Sequence, residues 1–352
     1  MIERLQVRPY ELPLRRAWAS ARGGFARRRG WLIQVSAEGL HGYGDCAPLP
    51  AAGTETPEVA WEALCQARAV AVFQPLDLLL ESLAPVLATA PAARFALECA
   101  LLDLASRRRG GALRHWLSES ARDEVPVNAM LGPLGTLAPA DLQTACDAGF
   151  RVLKIKVGIR NPTVELKHLV ALARHLPPGI GLRLDANGAW EPDAARRLID
   201  GLNPLPIESL EEPLREPDAD RLATLQAGAA FPLARDESLH GPLHGRLADL
   251  DLAMLGVRRI VLKPAVVGGL ARALALSARA RAAGVEVVVT SLVESAAGLW
   301  PTAQLAAAIG SPIPHGLATA DWLAADLGAA PRPRRGQIDL PRTAGSGFDP
   351  SP

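Results

Sequence analysis

Cysteine is sparse. The 352 residues include four, Cys46, Cys65, Cys99 and Cys146, widely separated and without a CxxC pair. This spacing suits small buried thiols in a reducing compartment better than a disulfide framework or a cysteine-built zinc site. Net charge is nearly absent as well, at +1, so no long-range field gathers nucleic acid or an anionic membrane. Arginine runs stand at 27–29, 107–109 and 332–335, but aromatics make up only 4% of the chain and none forms a platform beside them. The runs therefore read as solvated surface. No uncharged run of about 18 residues has membrane-spanning character, and Met1-Ile2-Glu3-Arg4 lacks the apolar core of a signal peptide. A cytoplasmic protein with no nucleic-acid or membrane partner is expected, and monomer and homo-oligomer both stay open.

What the chain does have is an apolar half, 49%, with 31 glycines and 30 prolines, the balance of a folded protein of one large or two ordinary domains. Leu5, Val7 and Tyr10, then Trp31 to Val35, alternate as strands do. Between them Ala19 to Arg29 is small and Arg/Gly-rich without periodicity, which predicts a mobile loop. Gly42 to Pro50 is a Gly/Pro-punctuated bend. A helix follows, capped at Thr56 with Pro57 behind it, and a second spans about Pro91 to Arg108. From Val125 the texture changes. Val125 to Gly132 reads as a first buried strand, Val285 to Thr290 as a seventh and Ile313 to Leu317 as a short eighth, with helical stretches between.

The repeated layout lies between Val152 and Lys263. Five apolar runs each end in ionisable residues before a loop: Leu153-Lys154-Ile155-Lys156, Leu182-Arg183-Leu184-Asp185-Ala186-Asn187, Ile207-Glu208-Ser209-Leu210-Glu211, Leu233-Ala234-Arg235-Asp236 and Ile260-Val261-Leu262-Lys263. The intervals from Lys156 to Asp185, Glu211, Asp236 and Lys263 are 29, 26, 25 and 27 residues, each the length of one βα unit. Eight strand candidates predict an α/β fold closed as a (β/α)8 barrel. A doubly wound sheet would want a glycine-rich first turn, and none is present.

Residues two apart on a strand share a face, so Lys154 pairs with Lys156 and Asp185 with Asn187, with Arg183 behind. At the C-terminal mouth of a barrel Asp185, Glu211 and Asp236 would converge, and three carboxylates that close need a cation among them. Hard oxygen donors on rigid strands suit Mg²⁺. Lys156 and Lys263 flank the point from opposite sides. A lysine beside a second cation such as Lys154, and buried, has the lowered pKa a base needs. Proton abstraction from the carbon α to a carboxylate is the chemistry this assembles. A Schiff base on Lys263 is the competing use of a strand-end lysine, and the three carboxylates speak against it. Of the histidines, His41, His115, His168, His175, His240 and His244 show no catalytic spacing. His315, at the eighth strand end, is the one placed for a site role.

Together these residues resemble the enolase superfamily, muconate-lactonising subgroup, over nearly the whole chain. The resemblance implies a modified TIM barrel at about 123–324 and an N-terminal α+β capping domain at 1–122, completed by residues from about 325. It implies a KxK motif at Lys154 and Lys156 with Lys156 as base, Mg²⁺ (Mn²⁺ as substitute) on Asp185, Glu211 and Asp236, and Lys263 as second catalytic lysine. The helix holding Ala96 to Leu104 is similar to the family's capping helix. Within the subgroup the chain is similar to the o-succinylbenzoate synthase family. The likeness lies in Ala47-Pro48-Leu49-Pro50 with Thr54-Glu55-Thr56, in Arg183-Leu184-Asp185-Ala186-Asn187, in Ser291 to Ser295 and in His315 to Ala320. Asp45 stands where that family more often has Glu. A small-molecule carboxylate substrate and a syn dehydration are implied, with Lys154, Arg183, Asn187, Ser291, Glu294, Ser295 and His315 as candidate substrate contacts. Racemisation or epimerisation by the same two lysines is the alternative. A DxD pair that dipeptide epimerases often carry near the eighth strand has no counterpart here, Asp321 standing alone.

Overall fold

The computed structural model describes residues 1–20, 23–75, 78–240 and 250–351. His244 lies outside them. Three antiparallel strands open the chain, β1 (Arg4–Ser20), β2 (Gly23–Ala37) and β3 (Leu40–Cys46), in the order β1-β2-β3. At its described residues, 19–20 and 23–29, the expected loop is strand instead, and residues 21–22 lie outside the described residues. The β1–β2 ladder runs on from Pro13↔Arg27 through a register shift to Trp18↔Phe25 and Ser20↔Gly23. Ladder bonds come from the backbone, so a hairpin persists where the side-chain pattern that signals a half-buried strand has lapsed. Nor is the arginine run wholly solvated. Arg27 and Arg29 pair with Glu11 on the exposed face, but Arg28 is buried and donates to the carbonyls of Ala47 and Pro48.

The stretch Gly42-Tyr43-Gly44, expected as a bend, lies within β3. Its glycines have a packing reason. The long helix Pro91–Arg109 crosses so close that a Cβ on Gly44 would stand 2.0 Å from the Ala96 carbonyl oxygen, and one on Gly42 2.1 Å from that of Ala100. Along this helix Phe95, Ala96, Leu97, Cys99, Ala100 and Leu104 are wholly buried.

The predicted first barrel strand is split. Its head, β4 (Glu124–Pro126), pairs antiparallel with β12 (Gln337–Asp339) near the chain end, and its tail is β5 (Ala129–Pro133). After β5 come β6 (Val152–Lys156), β7 (Gly181–Asp185), β8 (Ile207–Glu211), β9 (Leu233–Arg235), β10 (Arg259–Leu262) and β11 (Glu286–Val289). These seven form one parallel sheet in chain order, β5 to β11. The eighth position is filled by bridges rather than a strand. Gly316 pairs with Thr290 and His315 with Val127, so the segment links both edges of the curled sheet. The end of the chain returns to the N-terminal layer. Asp103 accepts from the N–H groups of Tyr43 (3.0 Å) and Ser346 (2.6 Å), and the Phe348 ring meets Tyr43 edge-on at 5.4 Å.

Alternation divides each barrel strand. Leu153, Ile155, Leu182, Leu184 and Leu210 are wholly buried against the helices, while Lys154, Lys156, Arg183, Asp185 and Glu211 take the other face. A register shift between β7 and β8 brings Glu208 into reach of Arg183 Nε, at 2.9 Å. Glu208 also accepts from Ser209 at 2.8 Å and from Arg259, which binds Glu286 in turn. Burial raises the Glu208 carboxyl, but Arg183 and Arg259 outweigh it and hold it at about 2, against 4.5. A depressed carboxylate stabilises the fold fully above pH 4.5 and loses that contribution as pH falls through about 2. We expect Glu208→Gln to cost about 3 kcal/mol in urea unfolding at pH 7 and clearly less at pH 3. An equal cost at both would show that the pairing is not the source.

Candidate active site

All five ionisable positions singled out by spacing close a strand or directly follow one at the same rim. Lys156, Asp185 and Glu211 are the last residues of β6, β7 and β8 and stand side by side in the ladders. Asp236 follows β9 and Lys263 follows β10. A parallel barrel has all its strand ends at one rim, so the backbone alone gathers them.

The side chains then sort by charge. Lys154 lies between two carboxylates, its Nζ 3.0 Å from Asp185 Oδ2 and hydrogen-bonded to Glu211 Oε2. Lys263 Nζ pairs with Asp236 Oδ1. All three acids are at least 96% buried. Among the described residues, no three His, Cys, Asp or Glu side chains are grouped as a ready metal cage. The convergence expected of Asp185, Glu211 and Asp236 is thus interrupted by ammonium groups, which take up carboxylate oxygens.

Burial and neighbours drive these groups apart. Burial raises Asp236 to about 6 against the pull of Lys263, and burial also outweighs Lys154 at Glu211, which is raised. At Asp185 the lysines overcome burial and hold the carboxyl down. Lys154 is held well above the ordinary lysine range because Asp185 and Glu211 overcome its burial, and Lys263 is held up by Asp236 and Glu237 in the same way. Lys156 goes the other way. Burial pushes its ammonium down, and although Asp185 opposes this, Lys154 adds to it. Of the three lysines at the rim it alone has a pKa shifted towards that of a base.

Two acids that the motif reading passed over complete the rim. Glu212, at φ 45°, accepts from the N–H groups of Asp236 (2.5 Å) and Ser238 (2.9 Å) and from the Ser238 hydroxyl (2.8 Å), fixing the loop after β9. Burial, helped by Glu237, raises it to about 7. Glu237 Oε1 accepts from Asn187 Nδ2 at 2.8 Å, so Asn187 is engaged by the protein. The doublet Glu211-Glu212 and the pair Asp236-Glu237 were the available signals. A stronger one went unread: only four of the 38 lysines and arginines are lysine, and Lys154, Lys156 and Lys263 are three of them.

The remaining candidate contacts are already bonded within the protein. Arg183 is wholly buried and donates to Glu208, Asn128 and the Pro314 carbonyl, and its Nε stands 4.0 Å from Glu211. His315 is wholly buried, accepts from the Val289 N–H at 2.9 Å, and burial lowers it to about 3, so it is neutral at ordinary pH. Ser295 donates from both its N–H and its hydroxyl to Asp45 on β3, each at 2.8 Å. Glu294 accepts from the Leu292 N–H at 2.7 Å, and burial raises it to about 7. Ser291 shares a 2.7 Å hydrogen bond with Thr319. Of these, Ser291 keeps the most exposure, being half-buried.

Comparison with known proteins agrees with this architecture. The family model described as enolase C-terminal domain-like matches residues 138–352. The chain belongs to the enolase superfamily of enzymes. It is 28% identical to an o-succinylbenzoate synthase of Desulfotalea psychrophila, over 90% of this chain and 93% of that protein. It is 31% identical to one of Edwardsiella ictaluri, over 90% of each. A solved dipeptide epimerase from Enterococcus faecalis, complexed with Mg and L-Leu-L-Tyr, superposes with a TM-score of 0.85 at 25% identity, over 98% of this chain and 99% of that one. An N-succinyl Arg/Lys racemase from Bacillus cereus gives 0.86 at 21% identity, over 99% and 95%.

The Lys154 bridge yields a test of the rim. Lys154→Met keeps the side-chain length but leaves Asp185 and Glu211 buried without their ammonium, which costs about 3 kcal/mol. Urea unfolding at pH 7 should show that loss. An unchanged midpoint would mean the acids do not depend on Lys154.

Proposed function

We propose that this enzyme abstracts the proton α to a carboxylate of a small substrate, with Lys156 as the base and Lys263 as the cation on the opposite side. The observation that carries this is the division among the rim lysines: Lys156 is pushed down while Lys154 and Lys263 are held up. Groups whose environments push their pKa values apart take separate acid and base roles. The donor set fits a divalent cation, since Asp185, Glu211 and Asp236 are hard-oxygen side chains buried at one rim. Mg²⁺ held there would neutralise charge developing on the substrate carboxylate. Its arrival would compete with Lys154 and Lys263 for carboxylate oxygens.

The particular reaction we infer is that of o-succinylbenzoate synthase, the syn dehydration of 2-succinyl-6-hydroxy-2,4-cyclohexadiene-1-carboxylate, a step of menaquinone biosynthesis. The curated relatives support it. Lys156 removes the α proton, the hydroxyl leaves from the same face, and the proton on Lys156 goes with it to form water. Lys263, held protonated by Asp236, faces the ring and stabilises the carbanionic charge.

The second reading is racemisation or epimerisation by the same two lysines, which the solved neighbours favour. Against dipeptides stands Asp321. No second acid stands two residues from it, its exposed side chain is paired with Arg332, and the next acid, Asp326, accepts from the Ala296 N–H.

An assay of the purified enzyme with the cyclohexadiene substrate, beside a panel of N-succinylamino acids in D₂O, separates the readings. Rapid aromatic product with slow or no α-deuteration is expected, and the reverse would overturn the synthase. Lys156→Ala should abolish turnover while Mg²⁺ still binds; near-full activity would remove Lys156 as the base. Because the base must be neutral, kcat/KM should rise with pH along a limb centred below 10.5, the ordinary lysine value.

A further inference from the structure

Lys263 sits at the start of a short stretch held from outside the barrel. Its carbonyl accepts from the N–H groups of Val266 and Val267, each at 2.9 Å, and closes a one-turn helix, Pro264–Val267. Gly268 (φ 85°) and Gly269 (φ 136°) then turn the chain into the helix Leu270–Ala282. That helix lacks a side-chain cap from its own N-cap position, Gly269. The acceptor comes instead from Glu98, on the long helix Pro91–Arg109. Its Oε1 takes the Ala271 N–H at 2.8 Å, and its Oε2 lies where a Cβ on Gly269 would be, 1.7 Å away. Pro91 of the same helix packs 3.5 Å from the Cβ position of Gly268. Glu98 is 3% exposed, and Arg94 and Arg272 are the cations that face it.

A buried carboxylate is expensive to place, and a helix N-terminus is a fitting acceptor site for one. Here the acid is delivered across 173 residues of sequence to the turn five residues beyond Lys263. With the strand β10 fixing one end of the Lys263–Gly269 stretch and Glu98 fixing the other, the ammonium has little freedom to leave the line towards Asp236. We propose that Glu98 is a positioning residue for Lys263, acting through the Ala271 N–H and the Gly268-Gly269 turn. The proposal rests on the reading of Lys263 as the second lysine of the site.

The test uses the fact that the chain has four lysines, one of which, Lys167, is exposed and serves as reference. Lysines are acetylated briefly at pH 8 and the labelling of each is read by peptide mass spectrometry. Glu98→Met, which removes the acceptor and fills its space, should raise Lys263 labelling about fivefold relative to Lys167 while Lys154 stays within about twofold. Glu98→Gln, which retains one acceptor oxygen, should restore the wild-type ratio. Ala271→Pro removes the donor at a position in the first helical turn that tolerates proline, and should act as Glu98→Met does even if that variant does not fold. In Glu98→Met and Ala271→Pro kcat should fall about tenfold or more with KM little changed, as a misplaced group in a site costs rate. Lys154 and Lys263 rising together would reveal general loosening and overturn the proposal, as would labelling that does not change. If Lys263→Met kept full activity, the functional reading would fall, while the labelling pattern would still decide whether Glu98 positions the side chain.

Discussion

Three carboxylates buried at one rim are the constraint to which the rest of this structure answers. Asp185, Glu211 and Asp236 arrive there because parallel strands bring their ends together, and no arrangement of the helices outside can separate them. Like charges at that depth are tolerable only with positive charge between them. Lys154 and Lys263 supply it in the fold, and Arg183 lies behind Glu211. Lys156, on the same strand as Lys154, is left with the weaker share of negative neighbours, and burial lowers it. The chemistry proposed for the site is thus a consequence of how one barrel rim distributes its charge.

The second constraint is the union of the N-terminal layer with the barrel, which is made largely by carboxylates at helix starts. Asp45 accepts from Ser295, the residue before the helix Ala296–Ile309, and Tyr10 holds the other Asp45 oxygen at 2.5 Å. Glu98 caps the helix after Lys263. Within the N-terminal layer Glu55 plays the same part, accepting from the N–H groups of Ala92 and Ala93, each at 2.9 Å, at the start of the long helix. Each acid satisfies backbone donors that would otherwise be buried unpaired. The barrel loops beside the rim are therefore set by residues far away in sequence.

How much of this was legible follows from which signals are local. The five strand ends were readable because period-2 alternation and a spacing near 27 residues need no knowledge of tertiary contacts. The parallel barrel followed from them. The strand pairing at 19–20 and 23–29 was missed because backbone pairing there is not echoed in an apolar pattern. Arg28 looked like its exposed neighbours, and only the Ala47 and Pro48 carbonyls distinguish it. Val125 to Gly132 reads as one strand, yet its head is claimed by Gln337–Asp339 from the far end of the chain. Glu212 leaves the strand alternation through a positive φ, which no adjacent residue announces. The scarcity of lysine was in plain view. Arginine serves wherever charge alone is needed, but its pKa is too high for a base, so the few lysines retained are informative.

If the rim works as proposed, its carboxylates form a site for a divalent cation. Calorimetric titration with Mg²⁺ tests it most directly. One ion should bind per chain, and Asp185→Asn, Glu211→Gln and Asp236→Asn should each weaken binding by at least about tenfold, since each removes one hard-oxygen ligand. Binding that ignores all three substitutions, or no binding at millimolar Mg²⁺, would contradict it.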